Sequence, residues 1–140
     1  MNNDLAKAKK ILSDTGATCV LCKGKSRCES QLRGVTPLVD LLDTGMDFSG
    51  YAAADKVVGK ATAFLYCLLG VRAVYAPVIS ETALEILQKN GIAAEYDQCV
   101  PAILNRRKNG LCPMETATKN ISDPETALEA IRHTLEKLQG

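Results

Sequence analysis

The sequence has no excess of either charge, no long apolar run and a single histidine, and each shortage removes a class of function. Lys and Arg number 17 against 16 Asp and Glu, a formal net charge of +1. The basic surplus of a nucleic-acid binder is missing, as are the acidic tails of a solvating protein, so nucleic acid is not an expected partner. The longest apolar stretch, residues 57–69, is too short for a bilayer and contains Lys60, so no membrane association is expected. The opening MNNDLAKAKKIL has no charged region leading into a continuous apolar run, unlike a signal peptide. A cytoplasmic location follows as the expectation, with the six cysteines as reduced thiols. At 140 residues, 46% hydrophobic and 24% charged, the chain suits one domain over 1–140, with an opening helix over 4–15 and a core over 17–140.

What is present reads as an alternation of helices and strands. Leu5, Ala8 and Leu12 recur at helical spacing before Gly16, predicting an amphipathic helix. ATCVLC and SRCESQL flank Lys23-Gly24-Lys25, a hairpin with glycine at its turn. PLVDLLDTG carries proline near its first turn and Gly45 past its end, a short helix. A strand over 48–53 then leads into VVGKATAFLYCLLG, apolar nearly all round and so a central, buried helix. VRAVYAPV is a buried strand, Ser80 caps the helix ETALEILQKN, and IAAEYDQCV is a further strand. Residues 101–121 form an irregular, Pro- and Gly-punctuated segment of a length that is often functional. Ser122-Asp-Pro-Glu125 fits a capping box, with Leu128, Ile131, Leu135 and Leu138 as the apolar stripe behind it. This order implies an α/β fold, a mixed sheet with helices on both faces. In such sheets ligands sit beyond the carboxyl ends of strands, against the following helices. That rule picks out Asp55-Lys56 and residues 77–80.

Asp55 is a natural N-cap if the buried helix begins there, and Lys56 and Lys60 then lie four apart on one helical face. Like charges near the positive end of a helix dipole violate the local rules, as functional sites do. They suit an anion such as phosphate or carboxylate, against the bland alternative of two solvated lysines. Gly59-Lys60 is not a P-loop, because Ala54 and Ala61 occupy positions that the motif gives to glycine and to Ser or Thr. Cys112 can cap a short helix beginning Pro113-Met-Glu115; there it is either a reactive thiol with Glu115 as proton acceptor or a small buried side chain. Cys19-Val-Leu-Cys22, with Cys28 beyond the turn, has the spacing of a zinc knuckle, but no second pair follows and His133 lies in the last helix. In a strand Cys19 and Cys22 point to opposite faces, so no metal site and no cofactor are expected. Cys67 and Cys99 read as core thiols, and the run Asn105-Arg106-Arg107-Lys108 as surface, with Arg106 able to add an anion contact if the segment folds over the site.

Taken together, AADKVVGKA at 53–61, the join ending Ser80-Glu81, Asn105-Arg106 and Cys112-Pro-Met-Glu115 resemble the bacterial family called domain of unknown function 1893, of the cytidine deaminase-like superfamily. The resemblance runs from about the hairpin to the final helix. It implies a three-layer α/β/α deaminase-like fold. Zinc deaminases carry His or Cys, one residue and Glu at one helix start and Pro-Cys-x-x-Cys at the next. Here those places read Ala54-Asp55-Lys56 and Pro77-Val-Ile-Ser80-Glu81, so zinc deamination is not expected.

The leading expectation is thus a small-molecule site, for an anionic or nucleotide-like ligand, lined by Asp55, Lys56, Lys60 and Ser80 and closed by Asn105, Arg106, Cys112 and Glu115. The alternatives are a transferase or sulfur carrier using Cys112, and a non-catalytic interaction protein. No feature selects an oligomeric state; a homodimer is the commonest arrangement for such chains.

Overall fold

The computed structural model describes residues 3–32, 34–104 and 110–139, the side chain of residue 139 excepted. The opening helix α1 (Asp4–Asp14) leads to an antiparallel hairpin, β1 (Cys19–Lys23) and β2 (Ser26–Ser30), and then to α2 (Thr36–Asp43). Lys23 pairs with Ser26 across the hairpin turn, where Gly24 takes φ +57, a conformation that a side chain disfavours. β3 (Ala52–Asp55) and β4 (Val57–Val58) precede α3 (Lys60–Leu69), β5 (Ala73–Ser80), α4 (Glu81–Lys89) and β6 (Ala93–Val100). Two helices follow, α5 (Pro113–Thr118) and α6 (Pro124–Gln139).

β3 and β4 are two parts of one strand. Ala54 pairs with Tyr75 and Val57 with Val78, in the same parallel register along one edge of β5. β6 runs parallel on the other edge of β5, and β1 lies antiparallel between β2 and β3. The sheet is therefore mixed, in the order β2, β1, β3 with β4, β5, β6.

Alternation along the strands divides the core in two. Cys19, Leu21, Ala53, Val74 and Ala76 join α2, α3, α4 and α6 in the larger cluster. Val20, Cys22, Ala54 and Tyr75 point the other way, onto Ala8, Ile11 and Leu12 of α1. Helices cover both faces, as expected, but unequally: among the described residues α1 alone covers one of them. Cys19 and Cys22 do lie on opposite faces. α3 is buried at seven of its ten positions, as its sequence predicts.

Some expectations need correction. The segment 48–51 is a turn rather than strand: the Asp47 carboxylate accepts from Ser49 N–H at 2.9 Å, Tyr51 N–H donates to the Phe48 carbonyl, and Gly50 has φ +81. Phe48 is buried there edge-to-face against Tyr51, with centroids 5.2 Å apart. The buried helix starts at Lys60, not Asp55, because Val57 and Val58 continue the ladder on β5. The α6 cap is Asp123, whose carboxylate accepts from Thr126 N–H at 2.9 Å, one residue after the expected Ser122. Finally, Cys99 is exposed on β6 and Cys67 only half-buried, and Leu138 falls off the α6 stripe at 62% exposure.

No helix among the described residues is long and apolar enough to cross a membrane. Ile131 of α6 is fully buried in the larger cluster. Ile131→Ala is expected to cost about 3 kcal/mol in urea unfolding with an unchanged m value.

Candidate functional site

The carboxyl end of β3 is where the chain's polar chemistry collects. Lys56 interrupts the strand, and its N–H still reaches the Thr18 carbonyl at 3.1 Å. Beyond that bond, β1's approach through Gly16 and Thr18 helps bound a cavity of about 590 Å³. Asp55, Lys56 and Val57 form one part of its wall, with Gly59 and Thr62 at the start of α3. Cys19 of β1 and the incoming segment, through Ile103, Cys112 and Glu115, supply other parts. The volume is ordinary for a small-molecule site.

Asp55 is 9% exposed. Its Oδ2 accepts from the Tyr66 hydroxyl at 2.7 Å, and the Val57 backbone N–H also bonds the carboxylate. Burial outweighs both bonds and pushes the carboxyl from 3.8 up to about 7. The Tyr66 oxygen lies 3.4 Å from the Cys19 sulfur. Burial, reinforced by the nearby Asp55 charge, drives both the phenol and the thiol well above their ordinary values, so each keeps its proton. With the phenol proton given to Asp55, the thiol must be the donor to Tyr66. A chain of donors thus runs Cys19, Tyr66, Asp55 and ends at the cavity wall.

Glu115 does a different task from the one expected of it. Its Oε1 accepts from the Lys60 backbone N–H at 2.7 Å, so the carboxylate from α5 caps the free N-terminus of α3. Gly59 makes this approach possible: a Cβ there would collide with the Glu115 carboxylate and stand 3.0 Å from Ile103. Cys112 occupies the N-cap position of α5 without a side-chain capping bond and is half-buried against the cavity.

The structure therefore brings Asp55, Lys56, Cys112 and Glu115 to one cavity and sends two other residues elsewhere. Lys60 Nζ donates to the Lys119 carbonyl at 3.0 Å and lies 5.9 Å from the Phe64 ring centre. Ser80 is fully buried, accepting from Ala83 N–H at 3.1 Å as the α4 cap. Lys56 and Lys60 are not a helical pair, since only Lys60 is in the helix. Asn105 and Arg106 lie outside the described residues. Sequence patterns single out neither Tyr66 nor Cys19 for the site, and the signal available for Tyr66 is its hydroxyl: a phenol inside so apolar a helix needs a polar partner.

A match to the family model described as domain of unknown function (DUF1893) spans residues 7–135. The chain belongs to the DUF1893 family. A solved structure of a DUF1893 family protein from Thermotoga maritima shares 31% identity over 98% of this chain and 91% of that one, with a TM-score of 0.85. Weaker likenesses join this DUF1893 chain to two solved structures named as deaminases. The dCMP deaminase of cyanophage S-TIM5 has 14% identity and a TM-score of 0.44, over 66% of this chain and 93% of that one. A diaminohydroxyphosphoribosylaminopyrimidine deaminase/reductase from Thermotoga maritima has 12% identity and a TM-score of 0.45, over 83% of this chain and 40% of that one. Neither score carries an argument about the reaction. No curated protein matches the chain.

Among the described residues no three His, Cys, Asp or Glu side chains gather closely enough to hold a metal. Asp55 accepts from the Tyr66 hydroxyl and Glu115 from the α3 backbone.

The native state keeps a proton on Asp55 that the unfolded chain releases near 3.8. The stabilisation this gives is complete below that pH and is lost as pH rises through about 7. Wild type is expected to lose stability relative to Asp55→Asn across this window, by about 4 kcal/mol as an upper bound at 1.36 kcal/mol per pH unit. Urea unfolding of both proteins between those pH values measures it; parallel pH profiles would refute the buried proton.

Proposed function

We propose that this DUF1893 protein binds a small molecule with an anionic group, of nucleotide-like size and polarity, in the cavity at the end of β3. The observation that carries the reading is the cavity of about 590 Å³ whose lining includes both the buried Asp55 and the exposed Lys56. A ligand with a planar, hydrogen-bonding end and an anionic end meets both requirements: Asp55 receives the first and Lys56 the second.

The anion contact rests on Lys56 rather than on the start of α3. Glu115 already supplies the negative charge at that helix end, and Lys60 turns to Lys119. The same bond bears on the Cys112 alternative, since the carboxylate nearest in sequence to that thiol is committed to α3. The small-molecule reading therefore leads.

Thermal melts of the purified protein against nucleoside monophosphates, the matching nucleosides and inorganic phosphate test the assignment. A ligand that binds only the native state raises stability by about 2.7 kcal/mol at a hundred times its dissociation constant. At least one nucleoside monophosphate is expected to raise Tm. The shift should weaken about tenfold in ligand concentration in Lys56→Ala and persist in Lys60→Ala. A shift that depends on Lys60 alone, or none with any compound, would contradict the assignment.

A further inference from the structure

We infer that Asp55 is the group on which this cavity receives a protonatable ring nitrogen, sharing one proton with the ligand, and that Tyr66 positions its carboxyl for that exchange. The inference rests on the small-molecule reading above and names the chemistry of the ligand's planar end.

The geometry supplies three requirements. Asp55 is nine-tenths buried yet forms part of the cavity wall, so a ligand seated there lies against it. Its carboxyl is fixed on the protein side by the Tyr66 hydroxyl at 2.7 Å and the Val57 N–H. A carboxyl offers about four lone-pair sites, so capacity is left for a third partner. Two titratable neighbours do not compete for the proton. Cys19 of β1 and Tyr66 of α3 both stay neutral, held up by burial. Glu115 is bonded to Lys60 N–H, and among the described residues Lys56 and Cys112 are the other ionisable groups of the lining.

A carboxyl that burial lifts to about 7 is matched to a base that protonates near neutrality. The exchange balances without a further reactant. The O–H bond of Asp55 breaks and its electron pair stays on the carboxylate, while the nitrogen lone pair forms the new N–H bond. The product is a carboxylate facing a cationic ring, an ion pair formed out of water. Anilines, phenyl rings and other planar molecules of the same size without a basic ring nitrogen cannot make this exchange.

The probe is 2-aminopyridine, which places a basic ring nitrogen beside an amino donor; aniline has the same shape and the same number of non-hydrogen atoms without that nitrogen. Binding of each is measured by NMR titration of the whole protein from pH 5 to 9. Wild type is expected to prefer 2-aminopyridine by tenfold or more, with affinity greatest where protein and probe together hold one proton, and falling on both sides. Asp55→Asn should abolish the preference and flatten the profile. Tyr66→Phe removes a bond that favours the charged carboxylate, so its optimum should move to higher pH while the preference is kept. Cooperative melting of each variant confirms that it folds. Equal binding of the two probes by wild type, or a preference that survives in Asp55→Asn, would overturn the inference while leaving the cavity a ligand site. Binding of neither probe would overturn it as well, and the small-molecule reading then fails only if the nucleotide melts are also flat.

Discussion

The bond between Tyr66 and Asp55 joins the two parts of the molecule on which the site depends. Asp55 is the last residue of β3 and Tyr66 lies midway along the most apolar helix. Their 2.7 Å contact fixes the end of the sheet against the helix that covers it. A buried carboxyl without such a partner would be costly, and a buried phenol likewise. Paired, they satisfy each other, and Cys19 satisfies the remaining capacity of the phenol. The polar chain stays inside an otherwise apolar cluster and meets the cavity beside Lys56 at Asp55.

A second contact sets the boundary of that cavity. Glu115 reaches from α5 to cap α3, over a glycine where a methyl group would be in the way. The consequence is architectural and electrostatic at once. Residues 112–115 are held against the cavity, and the helix end that would attract an external anion is already neutralised from within. Among the described residues Lys56, exposed in the strand break, is the cationic residue of the lining.

Much of this architecture is legible in the residues, because amphipathic periodicity and turn chemistry are local properties. The α1 stripe, the glycine turn of the hairpin, the Ser80 cap and the all-round apolar α3 were each readable, and each is found. The strand-end rule picks out Asp55 and Lys56, which line the cavity, and residues 77–80, whose Ser80 instead caps α4. What was not legible is longer in range. Val57 and Val58 fit a helix start as well as a strand, and only their pairing with β5 decides between them. That pairing moves Lys56 out of the helix and separates it from Lys60. Glu115 as a cap for a helix 55 residues earlier in the chain leaves no sequence pattern, and neither does the meeting of Tyr66 with Cys19 across 47 residues.

The account depends most on a carboxyl that keeps its proton at the cavity wall, and carbon-13 NMR of the aspartate side-chain carboxyls reads it directly. One aspartate signal, missing from Asp55→Asn, is predicted to titrate with a midpoint of about 7. If every aspartate titrates within the ordinary range, below about 5, Asp55 is charged at neutral pH and the account is contradicted.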